Sequence, residues 1–428
     1  MAVERRGERV GVARGHRGGV DGVLSATDAD VLIAGAGPAG SAAAVHLAQA
    51  GWRVVVVDRA EFPRDKPCSE YMSPEAVRLL DRLGVVPDLE AAGAVALEGT
   101  TVIGARGSRL TGLFHEAEPR PFRPAGLSLP RRILDARLVR AAREAGADVR
   151  ERTRLEALLH DGGAVAGAMV RGPDGRHYPI RARLTIGADG LGSLVARRLG
   201  RRYSSLPRRV AFVAHVRGVA GMGSTAEMHV GDAGYVGLNR IGADLYNVAL
   251  VVPQSLAAAA RGEATRFFFS TLDAFPEVRG RVDRSRLERE VLVTGPFASR
   301  AGRVTAGGAL LVGDAADFFD PFTGQGIYSA LRGAEMAALT ACGALERSGI
   351  ASAEALAPYR QLRRRAFAGK WAVERLIGYG MHLPSLFDHA VGRLGRRPEM
   401  AHTLIGVTGD FVPARRVLNP RFLTRMML

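Results

Sequence analysis

The chain has 428 residues, with 59 Lys plus Arg against 43 Asp plus Glu, a formal net charge of +16, and 47% hydrophobic and 24% charged residues. That composition excludes a disordered or fibrous chain, and two cysteines in such a length exclude a disulfide framework, which makes the reducing cytoplasm the expected compartment. The positive charge is arginine scattered in pairs such as Arg131-Arg132, Arg197-Arg198 and Arg396-Arg397, without interleaved aromatics or zinc-ligand spacing, so neither nucleic acid nor a metal is an expected partner.

Residues 1–28 are arginine- and glycine-rich, lack the apolar stretch of a signal peptide, and are read as a flexible leader. No run along the chain approaches the ~20 apolar residues of a membrane span. The fold is expected to begin at Ala29. There a short apolar strand through Ala34 leads into Gly35-Ala36-Gly37-Pro38-Ala39-Gly40, a helix of small residues, and a second strand from Arg53 to Val57 that ends in Asp58 and Arg59. This context gives the glycine spacing a physical meaning. Gly35 permits the tight turn, Gly37 lets backbone approach a pyrophosphate, and Gly40 lets helix and strand pack closely, while Asp58 can accept from ribose hydroxyls. FAD and NAD(P) both fit this motif.

Two later strands end in aspartates. Leu184 to Gly187 runs into Ala188-Asp189-Gly190 with Ser193 opening a basic helix, and Gly308 to Val312 delivers Gly313-Asp314. The latter is followed by Asp320-Pro321-Phe322-Thr323-Gly324-Gln325-Gly326-Ile327 and a long small-residue helix. Ligands collect at such strand ends in an open α/β sheet, and a helix start against a ring system suits developing negative charge.

With these three motifs in order, the chain from Ala29 onward resembles the FAD-dependent oxidoreductases built like para-hydroxybenzoate hydroxylase, which include aromatic-ring monooxygenases, geranylgeranyl reductases and flavin-dependent halogenases. The resemblance implies FAD as cofactor and NADH or NADPH as electron donor. It assigns Gly35, Gly37 and Gly40, with Pro38 and Ala39, to the pyrophosphate and Asp58, with Arg59, to the adenosine ribose. Asp314, beside Gly313, falls to the ribityl chain, Asp189 and Gly190 to FAD and the nicotinamide donor, and Gly324, Gln325, Gly326 and Ile327 to the ring loop. Arg131 or Arg132 would reach FAD from a helix start. The family's Asp-Gly motif continues to Val-Arg, whereas here Ala196 follows Val195 and Arg197 comes one step later.

The implied fold class is α/β. A Rossmann-like FAD-binding domain with a mixed sheet and helices (29–75, 125–202 and 293–345) is interleaved with an antiparallel-sheet substrate domain (76–124 and 203–292), and a helical C-terminal region (346–428) follows. The alternating runs at 209–216, 234–239 and 245–252 support the antiparallel sheet, and their apolar content suggests a hydrophobic small-molecule substrate.

The loop from Phe62 to Pro74 carries Lys66-Pro67-Cys68, as the geranylgeranyl reductases do, but has Ser69-Glu70-Tyr71 where they have a glycine cluster. Larger groups there favour hydroxylation of an aromatic or polyketide-like substrate through a flavin C4a-hydroperoxide over saturation of isoprenoid double bonds. A non-catalytic FAD-binding module is the alternative of another class. The halogenase Trp-x-Trp-x-Ile-Pro segment is absent, the tryptophans being Trp52 and Trp371. Candidate catalytic groups are Cys68, Glu70, Tyr71, His229, Tyr235 and Tyr246. The basic C-terminal helices are read as capping the FAD domain, with weak peripheral membrane contact as the alternative.

Overall fold

A computed structural model describes residues 27–347 and 351–428; most of the expected leader lies outside the described residues. The first strand, Ala29–Ala34, sits at the centre of a sheet between Val54–Val57 on one side and the end of His177–Gly187 on the other, all parallel. Asp148–Arg150 extends the sheet beyond Val54–Val57, and Ala309–Leu311 extends it beyond His177–Gly187. The strand order therefore reverses direction at Ala29–Ala34. A crevice opens at such a switch point, outside the carboxyl ends of the strands.

All four side chains of Val54–Val57 are buried because both faces of the sheet are covered. One face carries the helices Pro38–Gln49, Arg131–Glu144 and Gly326–Arg347. The other carries an antiparallel extension, Arg154–Asp161 and Ala164–Arg171, paired to the first half of His177–Gly187.

A second, seven-stranded sheet runs in the order Leu292–Thr294, Arg209–Arg217, Leu245–Pro253, Gly234–Arg240, Thr225–Gly231, Gly99–Ile103, Arg109–Leu113. It is antiparallel except where Thr225–Gly231 meets Gly99–Ile103. Its outer face packs under the helix Ala264–Leu272. Its inner face meets Phe297, Phe318, Phe322 and Met381 of the first unit and the C-terminal helices. The expected division gives residues 76–124 to this second unit, but Val77, Leu80 and Leu89 pack in the core of the first, because the amphipathic helix Pro74–Arg82 lies against Gly326–Arg347 and Val86–Ala91 against Arg131–Glu144.

The C-terminal region is helical as expected: Ala353–Gly380, Pro384–Gly395, Pro398–Thr408 and Pro420–Met427. A proline opens each of the last three, where its fixed φ suits the first turn and its missing N–H costs nothing. Leu356, Tyr359 and Phe367 of the first helix join the core of the parallel sheet, so this region is integral to both units.

Candidate functional site

The glycine turn follows its expected geometry. Gly35 has φ +100°, and a Cβ there would lie 2.5 Å from Ala188 O; one on Gly40 would lie 1.8 Å from Gly35 O. Asp58 closes the turn from the next strand, its Oδ2 accepting from Ala36 N and its Oδ1 from Ala60 N, both at 2.8 Å. The expected ribose acceptor is thus also a turn clamp, with acceptor capacity left on each oxygen. Arg59 is exposed. Gly37 differs from its neighbours. The nearest atoms to its Cβ position are Arg64 Nη2 at 3.8 Å and Arg131 Nη2 at 4.0 Å, and no side chain caps the helix Pro38–Gln49 that starts there. Open helix amides beside two guanidinium groups form an anion cradle.

The cations around that cradle come from separate segments. Arg131 donates through Nε and Nη2 to the two oxygens of Asp135, each at 2.8 Å, and Arg64 Nη1 adds a third bond at 2.9 Å. Burial works against its charge, yet Asp135 holds the Arg131 guanidinium above its ordinary range. Arg132, one residue on, is exposed, and of the two it is Arg131 that lies beside Gly37. Lys66 Nζ lies 3.9 Å from the Cβ position of Gly190. Burial lowers its pKa, and the nearby Arg64 and Arg131 lower it further. Burial raises the Asp314 carboxyl, while Lys66 and Arg131 oppose that shift. Gly313 packs against Ala39, with 3.1 Å between its Cβ position and the Ala39 Cβ. The three sequence motifs therefore converge on one cluster of positive charge, which fits a diphosphate-bearing dinucleotide.

Asp189 closes its own turn: Ser193 Oγ donates to Oδ1, and Leu194 N donates to Oδ2 at 2.7 Å. Arg197 is exposed and bonds to Gly192 O, so it does not join the cluster.

At the far end, Asp320 anchors the loop before Gly326–Arg347. Its Oδ1 accepts from Tyr235 OH at 2.7 Å and Phe322 N at 3.0 Å, and its Oδ2 from the buried Arg209 Nη1 at 2.7 Å. Gly324 has φ +68°, and a Cβ there would meet the Tyr71 ring at 2.8 Å. Gln325 Nε2 donates to Val407 O at 3.3 Å and to Asp410 Oδ1, and Ser73 Oγ donates to Asp410 Oδ2 at 2.8 Å. Burial pushes the Asp410 carboxyl up to about 8, against the pull of Lys370, Ser73 and Gln325. Gly326 and Ile327 open the helix, and Ile327 is buried in the first core.

The inner face of the seven-stranded sheet roofs this loop with Val213, Val230, Tyr235 and Val251. Of the candidates on that sheet, only Tyr235 faces inward. His229 stands opposite Val236 in the ladder and Tyr246 opposite Val216, both on the outer face. This corrects their expected placement at the substrate: side chains alternate across a strand, and sequence leaves open which parity meets the core. His229 instead pairs through Nε2 with Glu227 Oε2 at 2.8 Å. Although burial raises its pKa, Glu227 is held at about 2 by His229 and Arg281.

Toward one end the inner face turns polar, with His215, Asn247 and Asn239 in a cross-strand row. Asn247 Nδ2 donates to Cys68 O at 2.9 Å, Asn239 Nδ2 to Ser128 Oγ at 2.7 Å, and Ser128 Oγ to Glu70 O at 3.0 Å. Glu70, at φ +58°, spans Arg131 N at 2.8 Å and His215 Nε2 at 2.7 Å. It is a structural link, and Tyr71 packs with Leu97 and Phe114, its ring lying against Gly324. Cys68 is a half-buried free thiol whose Sγ accepts from Glu70 N. Sequence reasoning missed Arg64, Lys66, Asp135, His215, Arg209, Asp320 and Asp410 as site residues. Arg64 and Lys66 carried a signal through the Phe62–Pro74 loop, and Asp320 through the motif it opens.

Residues 28–374 match the family model described as FAD binding domain. The chain is 30% identical to the menaquinone reductase of Mycolicibacterium smegmatis, over 90% of this chain and 92% of that protein. It is 29% identical to digeranylgeranylglycerophospholipid reductase 1 of Methanococcoides burtonii, over 81% and 82%. Its fold is similar to the crystal structure of a geranylgeranyl bacteriochlorophyll reductase-like protein from Thermoplasma acidophilum, with a TM-score of 0.74, 22% identity and coverage of 93% and 98%.

Proposed function

The chain belongs to the FAD binding domain family and is an FAD-dependent oxidoreductase, and from that premise we propose that it saturates carbon–carbon double bonds of a long, apolar, isoprenoid-like substrate, with NADH or NADPH as electron donor. The carrying observation is the inner sheet face. It sets Val213, Val230 and Val251 over the Asp320–Ile327 loop, and its polar groups are engaged: Arg209 and Tyr235 OH with Asp320, His215 with Glu70, Asn239 with Ser128 and Asn247 Nδ2 with Cys68 O. Asn247 Oδ1 is buried without a hydrogen-bond partner, which leaves one free acceptor on that face.

The preference for hydroxylation rested on Ser69-Glu70-Tyr71 crowding a polyprenyl chain. Glu70 is drawn to Arg131 N and His215 and away from that crowding, while the Tyr71 ring packs beside Phe114 and against Gly324. The names of the curated relatives, both reductases, point the same way.

FAD, when bound, supplies the hydride chemistry. In this reading the open helix amides at Gly37, with Arg64, Lys66 and Arg131, hold its diphosphate. Asp58 receives the adenosine ribose, Asp314 the ribityl chain, and the Gly324–Ile327 backbone and helix start the ring system. The residues Val213, Val230, Val251, Phe322 and Met381 exclude water and hold an apolar chain.

The test is turnover of the FAD-loaded protein with NADH or NADPH, in parallel without oxygen and in air, using menaquinone and a geranylgeranyl lipid as substrates. The expected result is a product gaining two hydrogens per double bond with no oxygen requirement. A product that gains oxygen and forms only in air would replace this reading with hydroxylation.

A further inference from the structure

The connection between the helices Ala353–Gly380 and Pro384–Gly395 is apolar on both sides. Inward, Ile377, Met381 and Phe387 join the cluster of Tyr235 and Phe322 that roofs the site. Outward, Leu376, Tyr379, Leu383 and Leu386 are 45%, 47%, 57% and 46% exposed. Single exposed apolar residues are ordinary, but a contiguous group at one tip marks a surface that meets another phase or molecule.

The exposed charges of the helix stretches that meet at that tip, from Arg360 to Arg397, have one sign. Between Arg360 and Arg397 the acidic residues are Glu374 and Asp388. Glu374 is buried against Lys370, and Asp388 accepts from Arg106 N at 2.9 Å. On the other side of the balance, Arg364, Arg365 and Arg375 are exposed at helical spacing on the face that continues into Leu376 and Tyr379. The Arg375 guanidinium lies 5.5 Å from the Phe319 ring centroid, and the Tyr379 ring lies 6.0 Å from it. Long cationic stems over an aromatic base, with a tyrosine at the rim, suit a water–lipid boundary.

We propose that this tip docks on the surface of an anionic lipid bilayer, inserting Leu376, Tyr379, Leu383 and Leu386 while the arginines meet lipid phosphates. The contact is peripheral, since no described helix is long and apolar enough to cross a membrane. A second copy of the chain is a poor occupant because two surfaces of like charge would face each other. The surface goes beyond the reductase reading and does not require it.

The experiment is co-sedimentation of the FAD-loaded full chain with vesicles of phosphatidylcholine alone or mixed with phosphatidylglycerol. Pelleting is expected with the anionic vesicles only, and it should weaken as salt is raised. The double variant Leu383→Ser/Leu386→Ser should keep the thermal midpoint and flavin spectrum of the parent and lose at least about tenfold in vesicle affinity. Absence of pelleting with anionic vesicles would overturn the proposal, as would equal pelleting of the double variant. A concentration-dependent dimer that the double variant abolishes would assign the tip to a second copy instead. No readout uses turnover, so failure here is distinct from failure of the reductase reading.

Discussion

Glu70 and His215 meet across the join between the two sheets, Oε2 lying 2.7 Å from Nε2 with both side chains almost fully buried. The other Glu70 oxygen accepts from Arg131 N, so one carboxylate ties the Lys-Pro-Cys loop, the start of the Arg131 helix and the roof of the site together.

Removing that carboxylate leaves two buried groups without a partner. Glu70→Ala is expected to lower stability by about 3 kcal/mol, and Glu70→Gln, which keeps an acceptor for Arg131 N, by about 1 kcal/mol. Urea denaturation of the apoprotein measures both. Equal midpoints for Glu70→Ala and the parent would mean that the pair holds nothing.

The glycines of the first turn separate folding from binding. Gly40→Ala places a Cβ 1.8 Å from a backbone oxygen and is expected to cost more than about 3 kcal/mol in the apoprotein. Gly37 has φ −73° and ψ −174°, a conformation open to alanine, and free space around it. Gly37→Ala should leave apoprotein stability within about 1 kcal/mol and weaken FAD on the order of 10-fold to 100-fold by obstructing the backbone's approach. Thermal unfolding with and without FAD tells the two effects apart.

Lys66 should show opposite signs with and without FAD. Burial and the charges of Arg64 and Arg131 destabilise its ammonium in the protein alone. Lys66→Met is therefore expected to raise the apoprotein midpoint while weakening FAD about tenfold, the worth of a charge-assisted contact. A fall in the apoprotein midpoint would show that the cluster is not under repulsion.

Asp410 makes stability fall toward alkaline pH. Its folded carboxyl is pushed up to about 8, from an ordinary value of 3.8. Between those values the unfolded chain has lost a proton that the folded chain keeps, so stability declines as pH rises, by at most about 1.4 kcal/mol per unit from this group. Asp410→Asn removes the slope and should be the more stable protein near pH 8 but not near pH 4. Denaturation at several pH values tests this, and parallel slopes for parent and variant would exclude Asp410 as the source.

The first turn was legible because each of its requirements is local. A positive φ at Gly35, a close approach at Gly40 and a carboxylate at the end of the next strand are carried by a few consecutive residues. The catalytic candidates were less legible. Tyr235, His229 and Tyr246 all lie on alternating strands, and the parity that turns Tyr235 inward and the others outward depends on what packs against each face. Arg131 and Arg132 are neighbours on a helix, where adjacent residues point about 100° apart and only the packing partner selects between them.

Sequence by itself determined the dinucleotide turn, the order of the three strand-end motifs, the mixed and antiparallel sheets and the helical tail, since these rest on periodicity and on glycine's backbone freedom. Tertiary structure alone decided which polar and charged groups meet. Arg64 reaches Asp135, Arg209 reaches Asp320, Glu70 reaches His215, and Gln325 reaches Asp410. Each pair joins residues far apart in the chain, and taking a charge out of water is tolerated only where the fold delivers its partner.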